Sequence, residues 1–383
     1  MNIITVYKYS VLFALVAFMF LGLASMVARG MLVVIFIAIV ISFSRCIGFV
    51  KRTEVNAIFI LLLINSIYFI MGDVDRHNGF YANILLNLGI FFFSYDLSLK
   101  GKLSKNEIVV TYILLLVATS YRFFVEQEEM LYERNDQRAT MNLAYAFVIY
   151  MPFVFYIRNK LLSIILVLFA LFMVLNGAKR GAILIYALSV VYYVYYEYIR
   201  QIKKFKYRYI IIGLVGIVIA VQIAKRIYLE NEYLQMRIEN TMEGNSNGRD
   251  EIFSAIWDKW STESSTINFV FGYGFCSSVD IAGNRAHNDW FEMMATAGLV
   301  GIITYIFFWI QLIRMRVKTK DELDKIVFTL TLLILFVKSL FSMSYCSVEN
   351  MAIFLLLGFL TGQNRRNVTF ECLLTKRLSG FKE

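Results

Sequence analysis

Charged residues, proline and histidine are scarce in this sequence. Only 17% of its 383 residues are charged, and it contains one proline and two histidines. Soluble globular proteins are charged at about a quarter of their positions, so this composition excludes a soluble domain. A low proline content suits long helices, whereas strands of a membrane barrel would alternate in polarity over about ten residues. We therefore interpret the chain as an all-α integral membrane protein.

Metal-binding and redox motifs are also missing. None of the four cysteines lies in a CxxC pair or at metal-ligand spacing: Cys46, Cys276, Cys346 and Cys372. We therefore predict no metal site and no cofactor. Cys276 and Cys346 are predicted on the same outer side of the membrane, where a disulfide is permitted, but no spacing supports one.

Apolar runs of about 17 to 24 residues occur twelve times, and each can cross about 30 Å of hydrocarbon as a helix. Their approximate bounds are 8–27, 31–50, 55–72, 80–97, 108–125, 140–157, 161–177, 182–199, 208–227, 290–313, 326–345 and 347–364. No repeat or soluble domain boundary is visible, so residues 1–383 are predicted to form a single polytopic membrane domain. Residues 228–289 form a large external loop between the ninth and tenth runs.

The net charge of +10 reflects topology and does not indicate nucleic-acid binding, because the basic residues are spread through short loops. They occupy alternate connections, at Arg45 to Arg52, Lys100 to Lys105, Arg158 to Lys160, Arg200 to Arg208, Arg314 to Lys325 and Arg365 to Lys382. The positive-inside rule makes these connections cytoplasmic. Both termini are therefore predicted inside and the large loop outside.

The large loop contains an amphipathic helix. Residues 250–260 place five apolar side chains on one helical face, at Ile252, Phe253, Ile256, Trp257 and Trp260. We expect this face to lie on the membrane interface and Ser246 or Asn247 to cap the helix. Residues 269–275 contain two glycines and predict a tight strand or turn close to other backbone.

Cations near helix starts indicate an anion site. Arg180 lies in a short external turn although the external loops are otherwise acidic, and Arg249 opens a helix whose dipole disfavours a cation. A helix beginning after Asn288 would point its amides toward Arg285 and His287 and form a rim suited to phosphate. The alternative for each arginine is a solvated loop residue. Lys338 lies within an apolar run and must find an anion, either a ligand or a carboxylate.

His287 is the candidate general base. Its ordinary pKa lets a neutral imidazole take a proton from a hydroxyl at neutral pH, and Glu292, about one turn on, is placed to orient it. The alternative is a structural hydrogen-bonding histidine. His77, within Asp75-Arg76-His77-Asn78-Gly79, is interpreted as part of a solvated turn.

Several short motifs occur in a characteristic order. They are Arg180-Gly181, Ser246 to Arg249, Gly272 to Gly274, Ala286 to Asn288 and Gly298 to Gly301. In this order the chain resembles the O-antigen ligase and polymerase superfamily. The stretch from Arg138 to Asn142 is similar to the family's Arg-to-Asn stretch but lacks the proline of its Asn-Pro-Asn.

The resemblance implies an inverting, metal-independent glycosyltransferase of the type C class. Such enzymes transfer a glycan from undecaprenyl pyrophosphate to an acceptor glycan at the outer face of the bacterial plasma membrane. Catalysis would involve His287, Arg249 and Arg180. Substrate binding would involve Arg285, Asn288, Glu292, Asn142, Arg138 and Lys338. The expected partners are the lipid-linked glycan, membrane lipid and a chain-length regulator protein, with no nucleic acid and no cofactor.

Three functions fit the sequence. The leading one is a polymerase of lipid-linked repeat units for O-antigen or capsule. A ligase that moves finished glycan to lipid A core uses the same chemistry. A repeat-unit flippase belongs to a different class and should carry paired half-repeats or broken helices near the midplane. No such repeat is visible and the polar residues concentrate at the outer surface, which favours the enzyme.

Overall fold

The computed structural model describes residues 3–22, 25–47, 53–134, 141–199, 207–244 and 248–379. Within these ranges the chain is all-helical and contains no strand. The first nine helices are α1 (Ile3–Leu21), α2 (Met26–Ile47), α3 (Thr53–Met71), α4 (Val74–Leu99), α5 (Lys105–Arg134), α6 (Ala144–Ile149), α7 (Lys160–Asn176), α8 (Arg180–Val194) and α9 (Tyr207–Glu230). The remaining helices are α10 (Glu232–Met242), α11 (Arg249–Ser261), α12 (Thr266–Phe271), α13 (Ser278–Ala282), α14 (Asp289–Lys318), α15 (Glu322–Phe341) and α16 (Met351–Ser379).

One helix covers most of each apolar run except the sixth, which two short helices share. Among the described residues, five helices are long and apolar enough to cross a membrane: Ile3–Leu21, Met26–Cys46, His77–Leu99, Lys105–Met130 and Asp289–Lys318. Three shorter ones are also apolar: Val55–Met71, Ala144–Tyr156 and Lys160–Asn176. The sixth run is interrupted where Pro152 begins a 3-10 helix, Met151–Tyr156, because proline has no amide hydrogen to donate. The count of twelve membrane crossings remains a prediction.

Small residues let α16 pack closely against α4. Gly358 and Gly362 are spaced as in a GxxxG motif, and both face α4. A methyl group added at Gly362 would lie 2.6 Å from the carbonyl oxygen of Tyr95, so only glycine permits this approach. These two helices form the centre of the bundle, and their buried aromatic residues include Phe91.

The bundle has two chemically different ends. At one end, which we call the lysine end, Lys8 pairs with Glu107, Lys100 with Asp96 at 2.6 Å, and Lys105 with Asp324 at 2.8 Å, while Lys160 pairs with Glu197. The opposite end is covered by residues 248–289, and we call it the loop end. There the hydroxyl of Tyr68 donates to the carbonyl of Phe271 at 2.6 Å. The structure contains no membrane, so the side on which each end lies remains a prediction.

The amphipathic face of α11 packs on protein. Ile256 is fully buried and Trp260 is nearly so, in a cluster with Ala286 of the loop before α14 and Met294 in α14. The ring of Phe253 stacks on Phe291 at 4.7 Å between centroids. The apolar face therefore packs mainly against α14 and the loop before it, with Trp257 exposed, and its position at the membrane interface stays a prediction.

The glycine-rich stretch of the loop does approach other backbone closely. The amides of Tyr273 and Gly274 donate to the carbonyls of Ala295 and Thr296, at 2.9 and 3.1 Å. This contact occurs where α14 is kinked, at Gly298 (φ 55°, ψ −139°). The close approach is confirmed, but the segment is the end of helix α12 followed by an irregular turn, and not a strand.

Candidate functional site

Two basic residues lie at the tip of the α7–α8 turn. Lys179 precedes α8 and Arg180 is its first residue, and both side chains are half-buried. The turn is fastened to the residues before α6, because the amide of Met141 donates to the carbonyl of Gly177 at 3.0 Å. The dipole of α8 disfavours cations at its first residues. Lys179 and Arg180 therefore do not stabilise the helix that they open.

Arg249 joins the start of α11 to the end of α15. Gly248 (φ 77°) precedes it, and no side chain among the described residues caps α11. The guanidinium of Arg249 donates to the carbonyl of Phe341 at 2.8 Å. Because the C-terminal end of a helix is negative, this contact with α15 is favourable even though the start of α11 opposes the charge. Ser246 and Asn247, the expected caps, lie outside the described residues.

His287 occupies the loop before α14 in a left-handed backbone conformation (φ 49°). A non-glycine residue adopts this conformation at an energetic cost, and such positions concentrate at functional sites. The imidazole is half-buried. Burial lowers the pKa of His287, and the positive charges of Arg249 and Lys179 lower it further. Arg285 acts in the same direction.

Arg249 lowers the pKa of Lys179, of Arg180 and of His287, so these four residues form one group of charges. Burial, Arg249 and Arg237 lower the pKa of Lys179 to about 8. Burial, Arg237 and Arg249 also lower the pKa of Arg180. The structure therefore brings together five residues from three helices, the α7–α8 turn and the loop before α14, and we call them the cationic cluster: Lys179, Arg180, Arg237, Arg249 and His287.

The carboxylate of Glu349 opposes this charge, since it raises the pKa of Lys179. Glu349 lies in the short 3-10 turn before α16. Within the described part of the chain, neither Lys179 nor Arg249 forms an ion pair with a carboxylate. Lys179 and Arg249 are therefore half-buried cations without a carboxylate partner among the described residues, and such cations have the chemistry of an anion-binding site.

Lys338 lies buried beneath the cluster. Its ammonium donates to the side-chain oxygen of Asn350 at 2.6 Å and lies 4.7 Å from the ring centroid of Tyr145. The sequence predicted an anionic partner for Lys338, either a ligand or a carboxylate. Its partners in the structure are instead the side-chain oxygen of Asn350 and the aromatic face of Tyr145. Tyr145 also connects Lys338 to α8, because a methyl group added at Gly181 would overlap its hydroxyl.

Glu292 has a different role from the one expected of it. Its carboxylate accepts from the hydroxyl of Ser278 at 2.7 Å and from the amide of Ala286 at 3.3 Å. Among the described residues it forms no hydrogen bond with the imidazole of His287. Side chains in the first turn of a helix point back toward its N-terminus, so Glu292 holds the backbone of the preceding loop in place.

Asn288 also has a structural role. Its side-chain oxygen caps α14 by accepting from the amides of Trp290 and Phe291, at 2.8 and 3.2 Å. Its side-chain nitrogen donates to the carbonyl of Leu340 at 3.0 Å. These amides are therefore not available to an anion, and the expected amide-lined rim is wrong at this helix.

The other expected binding residues lie around the cluster. The guanidinium of Arg285 is over the ring of Phe80, 4.2 Å from its centroid. Asn142 is exposed in the turn before α6, next to the Met141 contact with Gly177. Arg138 lies outside the described residues. Cys276 and Cys346 are buried and both are free thiols.

Sequence reasoning missed Arg237, Tyr145 and Glu349. Arg237 lies in α10, where it is the basic residue of a segment that is otherwise acidic and that the sequence predicts to be external. The same argument that singled out Arg180 would have found it. Tyr145 and Glu349 carry no comparable signal, because only tertiary contacts bring an apolar helix and a short turn to the cluster.

No protein-family model matches this chain, and no curated protein matches it. The family resemblance therefore depends on the motifs themselves. In the described ranges, no group of three or more histidine, cysteine or acidic side chains is arranged to hold a metal ion.

Proposed function

We propose that the chain is a membrane glycosyltransferase that polymerises undecaprenyl-pyrophosphate-linked repeat units into O-antigen or capsular polysaccharide. The proposed active site is the cationic cluster. The observation that carries this proposal is the meeting of Arg180, Arg249 and His287, which the motifs single out and which come from three separate elements. In this proposal all twelve apolar runs cross the membrane, both termini are cytoplasmic, and the loop end faces the periplasm.

The cations would stabilise the leaving group. As the bond between the anomeric carbon and the pyrophosphate breaks, negative charge grows on the leaving oxygen. Arg180 and Arg249, with Lys179 beside them, would hold this charge in a partly desolvated place, where such interactions are stronger than in water. The cluster lies at the end of a bundle of apolar helices, so the polyprenyl chain would remain in the membrane while its diphosphate reaches the cluster.

His287 would act as the general base. The acceptor hydroxyl oxygen attacks the anomeric carbon from the side opposite the pyrophosphate, its proton passes to the imidazole, and undecaprenyl pyrophosphate leaves. A lowered pKa keeps the imidazole neutral at pH 7, as this role requires. A bound pyrophosphate would offset the nearby positive charges and raise the pKa of His287. The imidazole would therefore be a stronger base once the donor is bound.

The test uses purified protein and a synthetic undecaprenyl-pyrophosphate oligosaccharide. We expect longer lipid-linked products and released undecaprenyl pyrophosphate, both lost in His287→Ala and Arg249→Ala. The matched control is Arg226→Ala, because Arg226 is an exposed arginine of α9 that pairs with Glu230 one turn away. Full chain extension by both cluster variants would disprove the proposal.

The acceptor substrate supplied in the assay distinguishes a polymerase from a ligase. A polymerase extends one lipid-linked repeat unit with another, whereas a ligase requires lipid A core and gives no longer product without it. In cells that lack the gene, loss of a polymerase leaves single repeat units attached to the core, and loss of a ligase leaves none.

A further inference from the structure

A second basic site lies at the lysine end, across the bundle from the cationic cluster. The C-terminal end of α14, the first turn of α15 and the middle of α16 line an open cavity of about 660 Å³. Four cationic side chains line it, with no carboxylate among its described lining residues: Lys318, Lys320, Lys325 and Arg365. Asn364 and Thr319 add polar groups, and Val317 provides an apolar edge. A cavity with this lining has the chemistry to bind a phosphate group.

The two aspartates near the α14–α15 connection pair with a lysine outside the cavity. Asp321 and Asp324 both pair with Lys105 of α5, at 3.5 and 2.8 Å. Asp324 also accepts from the hydroxyl of Tyr156 at 2.7 Å. Across the described ranges, neither Lys318 nor Lys325 has a carboxylate partner. The positive charge of the cavity is therefore not neutralised by the two aspartates closest to it in sequence.

A neighbouring cavity contains the remaining carboxylate of this connection. It has a volume of about 390 Å³ and is lined by Glu322 together with Arg316 and Lys325. The guanidinium of Arg316 donates to the hydroxyl of Thr329 at 2.8 Å. Lys325 lies between the two cavities. The first cavity, with four cations and no carboxylate, is therefore the better anion site of the two.

An apolar stripe leads along α14 to this cavity. Its members recur at helical spacing and are exposed by 41 to 62%: Ile303, Ile306, Ile310, Ile313 and Val317. At 1.5 Å per residue the stripe is about 21 Å long, somewhat more than one leaflet of a hydrocarbon core about 30 Å thick. Its last member, Val317, also lines the cavity. The apolar stripe and the cationic cavity are therefore continuous.

We propose that this cavity binds the phosphate headgroup of an anionic membrane phospholipid, whose acyl chain lies along the apolar stripe of α14. A free phosphate would use the cations but would have no contact with the stripe. A zwitterionic lipid would use the stripe but would gain less from four cations. This inference does not depend on the proposed transferase activity, because the two sites lie at opposite ends of the bundle.

The test measures phosphatidylglycerol bound to the full-length protein in detergent by native mass spectrometry. Phosphatidylcholine with the same acyl chains serves as the comparison lipid. A charge near a membrane surface changes lipid affinity about fivefold, so Lys318→Gln/Lys325→Gln should lose about 25-fold for phosphatidylglycerol and little for phosphatidylcholine. The matched control, Lys225→Gln/Arg226→Gln, removes the same charge from exposed positions near the end of α9, away from the cavity and the stripe, and should retain wild-type affinity. Melting temperatures in phosphatidylcholine confirm that each variant is folded.

Two further measurements distinguish the sources of phosphate. Val317→Ser should weaken phosphatidylglycerol binding without changing competition by inorganic phosphate, because only the lipid contacts the stripe. Equal phosphatidylglycerol affinity in the wild type and the double lysine variant would overturn the proposal. Inorganic phosphate binding as tightly as phosphatidylglycerol would also overturn it and would reassign the cavity to a free anion.

Discussion

Burial and the guanidinium of Arg249 together lower the pKa of Lys179 to about 8, although the two residues are separated in sequence by α8, α9 and α10. The influence of one charge on the other places the α7–α8 turn near the start of α11. In an otherwise apolar bundle, mutual repulsion between two cations costs free energy. A bound anion would remove that cost, so the relationship between these two residues is the clearest structural sign of an anion site.

Lys179 should set the alkaline limit of activity. Its ammonium loses a proton as the pH rises through about 8, and the proposed active site then has one positive charge less with which to bind a diphosphate. We expect kcat/KM for the lipid-linked donor to fall above about pH 8, mainly through a higher KM. Lys179→Arg should move this limit to higher pH, because arginine keeps its proton. An identical alkaline limit in both proteins would contradict this role.

His287 should set the acidic limit. Because its pKa is lowered, the imidazole stays neutral at pH 7 and becomes protonated only below its ordinary value of 6.5. We expect kcat/KM to fall as the pH decreases through that lowered pKa. Arg285→Gln removes one of the charges that lower it, so the acidic limit should move to higher pH. The measurement is a pH profile of kcat/KM, and an Arg285→Gln profile displaced to lower pH would be evidence against the assignment.

Gly181 and Tyr145 should be energetically coupled. A side-chain methyl at position 181 would overlap the Tyr145 hydroxyl, which is packed in the core. We expect Gly181→Ala to reduce chain extension, because either Arg180 or the Tyr145 ring must move. Tyr145→Phe removes the overlapping oxygen and should restore part of the activity in the double variant. A double-mutant cycle on kcat/KM measures this coupling, and strictly additive effects would show that the two positions act independently.

Gly298 should be the glycine least tolerant of substitution in the loop-end contact. Its backbone conformation (φ 55°, ψ −139°) is strained for any residue with a side chain, and an added methyl would lie 2.6 Å from the amide nitrogen of Gly272. We expect Gly298→Ala to cost about 3 kcal/mol or more. Gly283→Ala is the control, since it has a positive φ of 71° but open space, and should cost about 1 to 2 kcal/mol. Melting temperatures in detergent compare the two, and equal losses would show that the close approach is unimportant.

The sequence predicted the positions of the helices better than their contacts. Apolar runs locate the long helices because a helix needs apolar side chains whether it is surrounded by protein or by lipid. For the same reason the pattern could not show what covers α11. The apolar side chains of Ile256 and Trp260 could be buried equally well in lipid or against α14. The break at Pro152 was likewise hidden inside one continuous apolar run.

The candidate site was predicted in part. Short motifs identified Arg180, Arg249 and His287 because charged groups next to apolar runs are conspicuous. The roles of Asn288 and Glu292 could not be predicted, because a side chain near a helix start can bind a ligand or fasten its own loop. Only the hydrogen bonds with Trp290 and Ala286 decide between these roles.

The central claim is that the cationic cluster holds the diphosphate while His287 accepts the acceptor's proton. Binding of the lipid-linked donor and single-turnover glycosyl transfer, measured on the same purified variants, test it most directly. We predict that His287→Ala binds the donor with near wild-type affinity but transfers the glycan about 10²- to 10⁴-fold more slowly. Arg249→Ala should lose both binding and transfer. Transfer at the wild-type rate by His287→Ala, or unchanged donor binding by Arg249→Ala, would contradict the account.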